Sequence, residues 1–352
     1  MKIASIIGAR PQFIKLKSII KNLKKNNIKN LIIHTGQHFD KNMNDIFFSD
    51  LRIPKPKYNL KVHSLNRVQM ISRISLKLEK ILKFEKPDYV ILFGDTNSTL
   101  AGALTSHFLG IKIIHIEAGL RSLDKSMPEE TNRIITDQLS DILFCPTEIA
   151  VKNLKKEGFP NKKIFKVGDI MFDLFLEFSK FSKKPSFQID KNFILLTIHR
   201  EKNTNFLELK KILKRINSIK GYDIIFPVHP RIKSKIIKKI NLNKRIKIIE
   251  PQSYINILWL LQNCKLVITD SGGLQKESYF AKKPCLVLRK NTEWMELLKN
   301  GSSALFDASK RNINYKLSKL LNKKHNFNKK FYGNGLSSSK IIKIIKKNYK
   351  CQ

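Results

Sequence analysis

Residues 265–280 read KLVITDSGGLQKESYF, and the handover inside this stretch decides the fold. A short apolar run, KLVI, meets Thr269, Asp270, Ser271 and two glycines, and a helical pattern follows. Glycines at such a corner let backbone N–H groups approach an anion closely, and the helix N-terminus beyond them favours negative charge. Ser271, Gly272 and Gly273 are therefore candidate anion binders. Glu277, one turn into the helix, is placed to accept a pair of hydroxyls such as those of a ribose. The spacing is neither GxGxxG nor GxxxxGK[ST], so a generic dinucleotide site or P-loop is not indicated. A plain Gly-rich turn before a helical glutamate is the alternative at this point.

The same handover recurs along the whole chain. Continuous apolar runs at 2–7, 30–34, 88–93, 111–116 and 141–145 form one series, and 193–198, 223–228, 246–249, 265–269 and 284–288 a second. They lack period-2 alternation, which fits strands buried on both faces of a parallel sheet. Amphipathic helical patterns lie between them. In PQFIKLKSIIKNLKK, Phe13, Leu16, Ile20 and Leu23 share a face opposite the lysines, and Pro11 suits the first turn. In MPEETNRIITDQLSD, Pro128 opens a helix whose positive first turn holds Glu129 and Glu130. Strand–helix alternation of this kind predicts an α/β protein of two Rossmann-like, doubly wound domains. A helix and polar connector near 168–192 separate the series, dividing the chain into domains at 1–170 and 171–335, with an amphipathic tail helix at 336–350. Ligands in open α/β sheets bind beyond the carboxyl ends of the strands. The expected active site is the cleft between the two domains.

A length of 352 residues fits two domains at about 100–200 residues each. No apolar stretch reaches the ~18–20 residues of a membrane span, and the opening MKIASIIGARPQF reads as a strand, not a signal peptide. The expectation is a cytoplasmic protein with no membrane insertion. Four cysteines at 145, 264, 285 and 351 show no paired spacing, so neither a metal site nor a disulfide framework is expected. Lys plus Arg total 68 against 28 Asp plus Glu, a net charge of +40. Such charge invites polyanions. Here the lysines are spread over every segment together with abundant Ile and Asn, as an A/T-rich coding sequence would give. No zinc-finger spacing, RRM signature or aromatic–basic interleaving accompanies them, so no nucleic-acid partner is expected.

Each candidate chemical group stands just after a strand. In GARPQFIK, Gly8 permits the turn, and Arg10 and Lys15 follow as candidates for a phosphate or carboxylate, or as surface cations. In FGDTNSTLAG, Asp95 ends a strand, as a functional acid or an N-cap. In HIEAGLRS, Glu117 ends an apolar strand, where an unused carboxylate is costly. Glu129 serves either chemistry or its helix dipole. In LLTIHREKN and PVHPR, His199 with Arg200, and His229, end strands of the second series. Two strand-end histidines, each with an arginine nearby, fit an anionic substrate.

These stretches, in this order and over nearly the whole chain, resemble the non-hydrolysing UDP-N-acetylglucosamine 2-epimerase family. GARPQFIK, TGQH, GDTNSTLAG, HIEAGLRS, PEETNR, CPTE, HREKN, PVHPR, TDSGGLQKE, KKPCLVLR and NTEW all have counterparts there. The resemblance implies a glycosyltransferase-B arrangement, a homodimer, and a C-terminal helix that packs back on the first domain. It implies elimination of UDP across C1–C2 to a 2-acetamidoglucal and re-addition with C2 inverted, with neither cofactor nor metal. Asp95, Glu117 and Glu129 would be the acid/base carboxylates. Arg10, Lys15 and His199, with Arg200 and His229, would serve the diphosphate, and Ser271, Gly272, Gly273 and Glu277 would hold the UDP. The UDP-N-acetylglucosamine enzymes commonly read GTRPE, SGGIQEE and TERPE where this chain reads GARPQ, SGGLQKE and TEWME. With TGQHFDKNMNDIFF and VGDIMFD, the chain is closer to the branch acting on UDP-2,3-diacetamido-2,3-dideoxy-glucuronate. Lys276 then stands either as a cation for that sugar's C6 carboxylate or as an ordinary surface lysine.

Overall fold

The structure is a computed structural model that describes residues 1–37, 53–190, 192–228, 232, 240–308 and 312–350, with the side chains of Arg10 and Glu201 also outside the described set. The chain divides into two compact units, Met1–Leu176 with Lys330–Gln352, and Glu177–Lys329.

The first unit is built on β1 (Lys2–Ile7), β2 (Lys29–His34), β3 (Tyr58–Asn59), β4 (Tyr89–Phe93), β5 (Lys112–Ile116), β6 (Ile142–Cys145) and β7 (Ile164–Lys166). They form one parallel sheet in the order β3-β2-β1-β4-β5-β6-β7. The helices are α1 (Arg10–Lys25), α2 (Arg67–Glu85), α3 (Asn97–Phe108), α4 (Pro128–Leu139), α5 (Glu148–Lys156) and α6 (Ile170–Phe178). The strand order reverses between β1 and β4, so the loops leaving these two strands diverge and leave room beyond them. One face of the sheet packs Ala4, Ile6, Ile33, Val90 and Leu92 against Ile74, Leu78 and Leu82 of α2. Helix α1 buries Phe13, Leu16, Ile19 and Leu23, each worth on the order of 1.5–3 kcal/mol. Ile19 takes the innermost place expected of Ile20, which is half-buried.

The second unit has the same logic. Its strands are β8 (Phe193–Thr197), β9 (Asp223–Pro227), β10 (Ile246–Ile249), β11 (Leu266–Thr269), β12 (Cys285–Val287) and β13 (Ser303–Leu305). The parallel order is β10-β9-β8-β11-β12-β13, with the reversal between β8 and β11. Helices α7 (Glu201–Thr204), α8 (Phe206–Asn217), α9 (Tyr254–Asn263), α10 (Gly272–Phe280), α11 (Met295–Lys299) and α12 (Ile313–Leu321) complete it. Ile194, Leu196, Phe226 and Ile268 pack against Leu209, Ile212, Leu213 and Ile216 of α8.

All ten expected strands are present. Three further ones, β3, β7 and β13, are two or three residues long and form sheet edges. A segment that short carries too little apolar pattern to be read from sequence. The boundary between units falls after Leu176, not after 170, because Ile170–Leu176 is tied into the first unit. Ser18 Oγ donates to Ile170 O (2.7 Å), and Asp173 accepts from the Ser337 and Ser338 amides (3.1 and 2.7 Å) and from Ser338 Oγ (2.8 Å). Asp173 thus caps the C-terminal helix Ser337–Lys350, which lies along α1 with Asn22 Nδ2 donating to Ser338 Oγ at 2.9 Å. Among the described residues no helix is long and apolar enough to cross a membrane.

At the edge of the first sheet, Glu85 ends α2 beneath Lys2 and Lys57 (2.5 and 2.6 Å) and the Tyr58 hydroxyl (2.6 Å). Hydrogen bonds from Lys2, then Lys57, then Tyr58 hold its carboxyl down at about 2, against an ordinary 4.5. A depressed carboxylate contributes stability above its unfolded value and loses it as pH falls through its folded value. The melting-temperature gap between the wild type and Glu85→Gln should therefore be full above about pH 4.5, shrink below it and close near pH 2. A gap that stays constant across that range would show that the cluster contributes no such linkage.

Candidate active site

In the first unit the chemistry gathers where β1, β4 and β5 end. Gly8 follows β1 without a positive φ; a Cβ there would lie 2.1 Å from both Ser98 Oγ and Thr35 Oγ1, so space rather than turning demands glycine. Gln12 then bridges two strand ends. Its Oε1 accepts from the Gly8 and Ala9 amides (2.7 and 3.0 Å), and its Nε2 donates to Phe93 O and Thr99 Oγ1 (2.8 and 2.9 Å). A glutamate here would set an oxygen against the Phe93 carbonyl, so glutamine matches this donor–acceptor set.

Lys15 reaches across from α1 to Glu117, with Nζ 2.5 Å from Oε1 and both side chains largely buried. Glu117 itself is left-handed (φ 77°), a conformation that costs a non-glycine residue on the order of 1–3 kcal/mol and is retained where something over-determines it. Gly94, also left-handed (φ 63°), passes over the pair. A Cβ on Gly94 would stand 3.0 Å from Lys15 Nζ and 3.4 Å from Glu117 Oε1.

The next residue, Asp95, pairs with Arg133 of α4. The same guanidinium, almost fully buried, reaches Glu130 Oε2 at 2.9 Å. Glu130 in turn accepts from the Ser122 amide (2.9 Å), Ser122 Oγ (2.8 Å) and the Leu123 amide (2.9 Å). Asn132 Nδ2 donates to Asp95 O at 2.9 Å. Of the two glutamates opening α4, Glu130 is thus taken by the loop before the helix. Glu129 is half-buried and makes no hydrogen bond or ion pair among the described residues.

Beneath this corner lies a fully buried relay. His115 Nδ1 meets Asp137 Oδ1 and its Nε2 meets Gly94 O, both at 2.7 Å. Asp137 Oδ2 accepts from the Gly119 amide and from Arg121 (3.1 and 2.8 Å), and Arg121 continues to Glu157. Burial works to raise the Asp137 carboxyl, but His115 and Arg121 outweigh it and hold it below the ordinary carboxylate value. Gly94 and the loop after Glu117 are thereby fixed from below.

In the second unit, the loops leaving β8 and β11 are tied by Asp270, which is fully buried. Its carboxylate accepts from the amides of His199 (3.1 Å) and Arg200 (3.0 Å) and from Asn203 Nδ2 (3.0 Å). Ser271 caps α10, accepting from the Leu274 amide at 3.3 Å, and its hydroxyl proton remains able to donate. A Cβ on Gly272 would lie 2.5 Å from Glu293 Oε1, so a larger residue there would have to push that carboxylate aside. Glu277 is buried and accepts from the Tyr254 hydroxyl at 2.9 Å, which fixes the carboxylate that was expected to meet a ribose.

Lys276 is not a surface lysine: it is 1% exposed, and its ammonium lies 4.2 Å from the centre of the Trp294 ring. Asp95, Glu117 and Lys15 share the corner in the first unit, and His199, Arg200, Ser271, Gly272, Gly273 and Glu277 stand at the β8 and β11 ends or on α10 in the second. His229 and the Arg10 side chain lie outside the described residues. Gln12, Arg133, Tyr254 and Asp270 were not among the candidates. Asp270 had a readable signal, a carboxylate directly ending an apolar run, the same signal that marked Glu117. The partner of Arg133 is set by tertiary contact with Asp95, 38 residues away in sequence, which no local spacing announces.

Carboxylates thus stand at the strand ends of the first unit, and a glycine-opened helix with a seated carboxylate stands in the second. The family profile described as UDP-N-acetylglucosamine 2-epimerase matches residues 21–346. The UDP-2,3-diacetamido-2,3-dideoxy-D-glucuronate 2-epimerase of Pseudomonas aeruginosa is 45% identical over 99% of this chain and 100% of its own length. The UDP-N-acetylglucosamine 2-epimerase of Methanocaldococcus jannaschii is 44% identical over 98% of this chain and 99% of its own. The crystal structure of a Methanocaldococcus jannaschii UDP-GlcNAc 2-epimerase with UDP-GlcNAc and UDP superposes with a TM-score of 0.93 at 43% identity, covering 98% of this chain and 99% of that one. The chain belongs to the UDP-N-acetylglucosamine 2-epimerase family, an isomerase of glycosyltransferase-B-like fold.

The departures from the commoner family pattern at 276 and 294 are in contact, so they form one change. A glutamate and an arginine, as in SGGIQEE and TERPE, would make an ion pair where this chain stacks Lys276 on Trp294. Lys276→Glu alone should cost about 2 kcal/mol or more, by setting a buried carboxylate on a ring face. Adding Trp294→Arg should recover at least half of that loss. Melting temperatures of the four proteins test this, and strict additivity of the two single changes would disprove the coupling.

Proposed function

We propose that this enzyme inverts C2 of a UDP-linked 2-acetamido sugar, and that UDP-2,3-diacetamido-2,3-dideoxy-glucuronate or UDP-N-acetylglucosamine is its substrate, for surface polysaccharide. One carboxylate takes the proton from C2 as the C1–O bond breaks, and UDP leaves with the bonding pair to give a 2-acetamidoglucal. A second carboxylate then delivers a proton to the opposite face of C2 while the diphosphate oxygen returns to C1. Atoms and charge balance without an oxidant. The observation that carries this reading is the Lys15–Glu117 pair under Gly94, with Asp95 next in the chain. C2–H is weakly acidic, so proton transfer must accompany departure of UDP, which requires carboxylates within reach of C2 and cations to take up the leaving charge.

Asp95, Glu117 and Glu129 are the acid/base groups in this proposal, with Lys15, Arg10 and His199 serving the diphosphate, Arg200 and His229 beside them, and Ser271, Gly272, Gly273 and Glu277 holding UDP. Seating of Glu277 by Tyr254 supports the last assignment. We also propose a homodimer, supported by the exposed Val68, Leu76 and Phe84 on α2 and Phe108 on α3; sedimentation at the monomer mass would overturn it.

The test is an NMR time course in heavy water with each of the two nucleotides. Deuterium entering C2, with a manno-configured nucleotide appearing, is the expected result, and the tube that reacts names the substrate. Free UDP accumulating with turnover would instead mean a hydrolysing enzyme, and no exchange in either tube would sink the reading. Glu117→Ala should lose turnover by roughly 100-fold or more while UDP still binds. Near-wild-type turnover would remove Glu117 from the mechanism.

A further inference from the structure

Asp270 does more than close a loop. Besides accepting from the His199 and Arg200 amides and Asn203 Nδ2, its Oδ1 lies 3.3 Å from His199 Nδ1. The carboxylate is completely buried, whereas the His199 side chain is 58% exposed. A buried carboxylate thus grips both the backbone that carries the imidazole and the ring nitrogen on the inner side. Asn203 also donates to Leu288 O at 3.2 Å, which ties the same loop to the strand beyond β11.

We propose that Asp270 is the positioning residue of His199: it orients the ring by drawing Nδ1–H and supports positive charge on the imidazole as UDP departs. This rests on the epimerase reading above. A carboxylate beside an imidazole favours its charged form, and a fixed cation facing the diphosphate oxygens stabilises charge that grows only as the C1–O bond breaks. At 3.3 Å this contact is longer than the hydrogen bonds Asp270 accepts from the His199 and Arg200 amides. Asp270 faces His199 from the end of β11, and Arg200 is the next residue in the chain; the Glu201 side chain lies outside the described residues.

Asp270→Asn keeps an oxygen for the backbone amides and loses the charge. It should lower kcat by roughly 10- to 100-fold, the size found when the carboxylate partner of a metal-bound imidazole is removed, with KM for the intact sugar nucleotide changed less than about threefold, since that nucleotide does not yet carry the leaving charge. The alkaline limb of the kcat–pH profile should move to lower pH, since His199 gives up its proton sooner without the carboxylate. Asp270→Glu should restore part of the loss. An Asn variant that folds and matches wild type in kcat and profile would overturn the proposal. So would a loss of kcat accompanied by an equally large rise in KM for the sugar nucleotide, with the profile unmoved, which is what a purely structural role predicts. Nitrogen-15 NMR of the His199 ring reads the pair without turnover: the ring should titrate at lower pH in the Asn variant. If the wild type fails to exchange C2 with either nucleotide but the ring titration still shifts, the epimerase reading fails and the pairing stands; an unshifted titration overturns the pairing whatever the activity.

Discussion

A carboxylate at the carboxyl end of a parallel strand is the constraint on which this structure turns. Such a position is buried on both sides by helices, and an isolated charge there would cost several kcal/mol. The chain meets that cost differently at each corner. Glu117 takes Lys15, Asp95 takes Arg133, and Asp270 takes amides and an amide side chain. The ends of these strands are also where ligands bind in doubly wound sheets. The groups that make the charges tolerable therefore also aim them.

Differences among these solutions separate structural from chemical roles within one short helix. Glu129 and Glu130 open α4 side by side, and both suit its dipole. Glu130 has every reason to be a brace, since it accepts from the loop before it and from Arg133. Arg133 then passes that fixity to Asp95. Glu129, one position earlier, is half-buried and makes no hydrogen bond or ion pair among the described residues, which suits the proton-transfer role proposed for it. A helix rotated by one residue would exchange the two roles, so Pro128 matters by fixing where the helix begins.

Much of this was legible in the sequence because each chemical group follows an apolar run. The strand ends of β1, β4, β5, β8 and β11 could be read, and so could Lys15, Asp95, Glu117, His199 and Glu277. What escaped was the partner of each. Arg133 and Tyr254 carried no local signal, and Gln12 stood out only as a departure from a family pattern. Their roles are set by which loops meet at a switch point, a property of strand order and not of local pattern. Lys276 stood open between a cation for a sugar carboxylate and a surface lysine. A lysine in a lysine-rich chain reads as solvated, and only the position of Trp294 shows the stem and ammonium buried beneath an indole.

The same economy explains why a net charge of +40 says little about a partner. Lysines occupy the outward faces of α1, α2, α5, α8, α12 and the C-terminal helix, where a solvated cation costs little. Some of the acids are drawn inward. Glu85, Asp137, Glu130, Asp270 and Glu277 are all buried, and each is engaged by cations, amides or hydroxyls. A selected polyanion site would instead concentrate its cations on one face and leave the others mixed. The excess charge is set by how many lysines the chain carries, spread over many of its helices, and not by where its carboxylates lie.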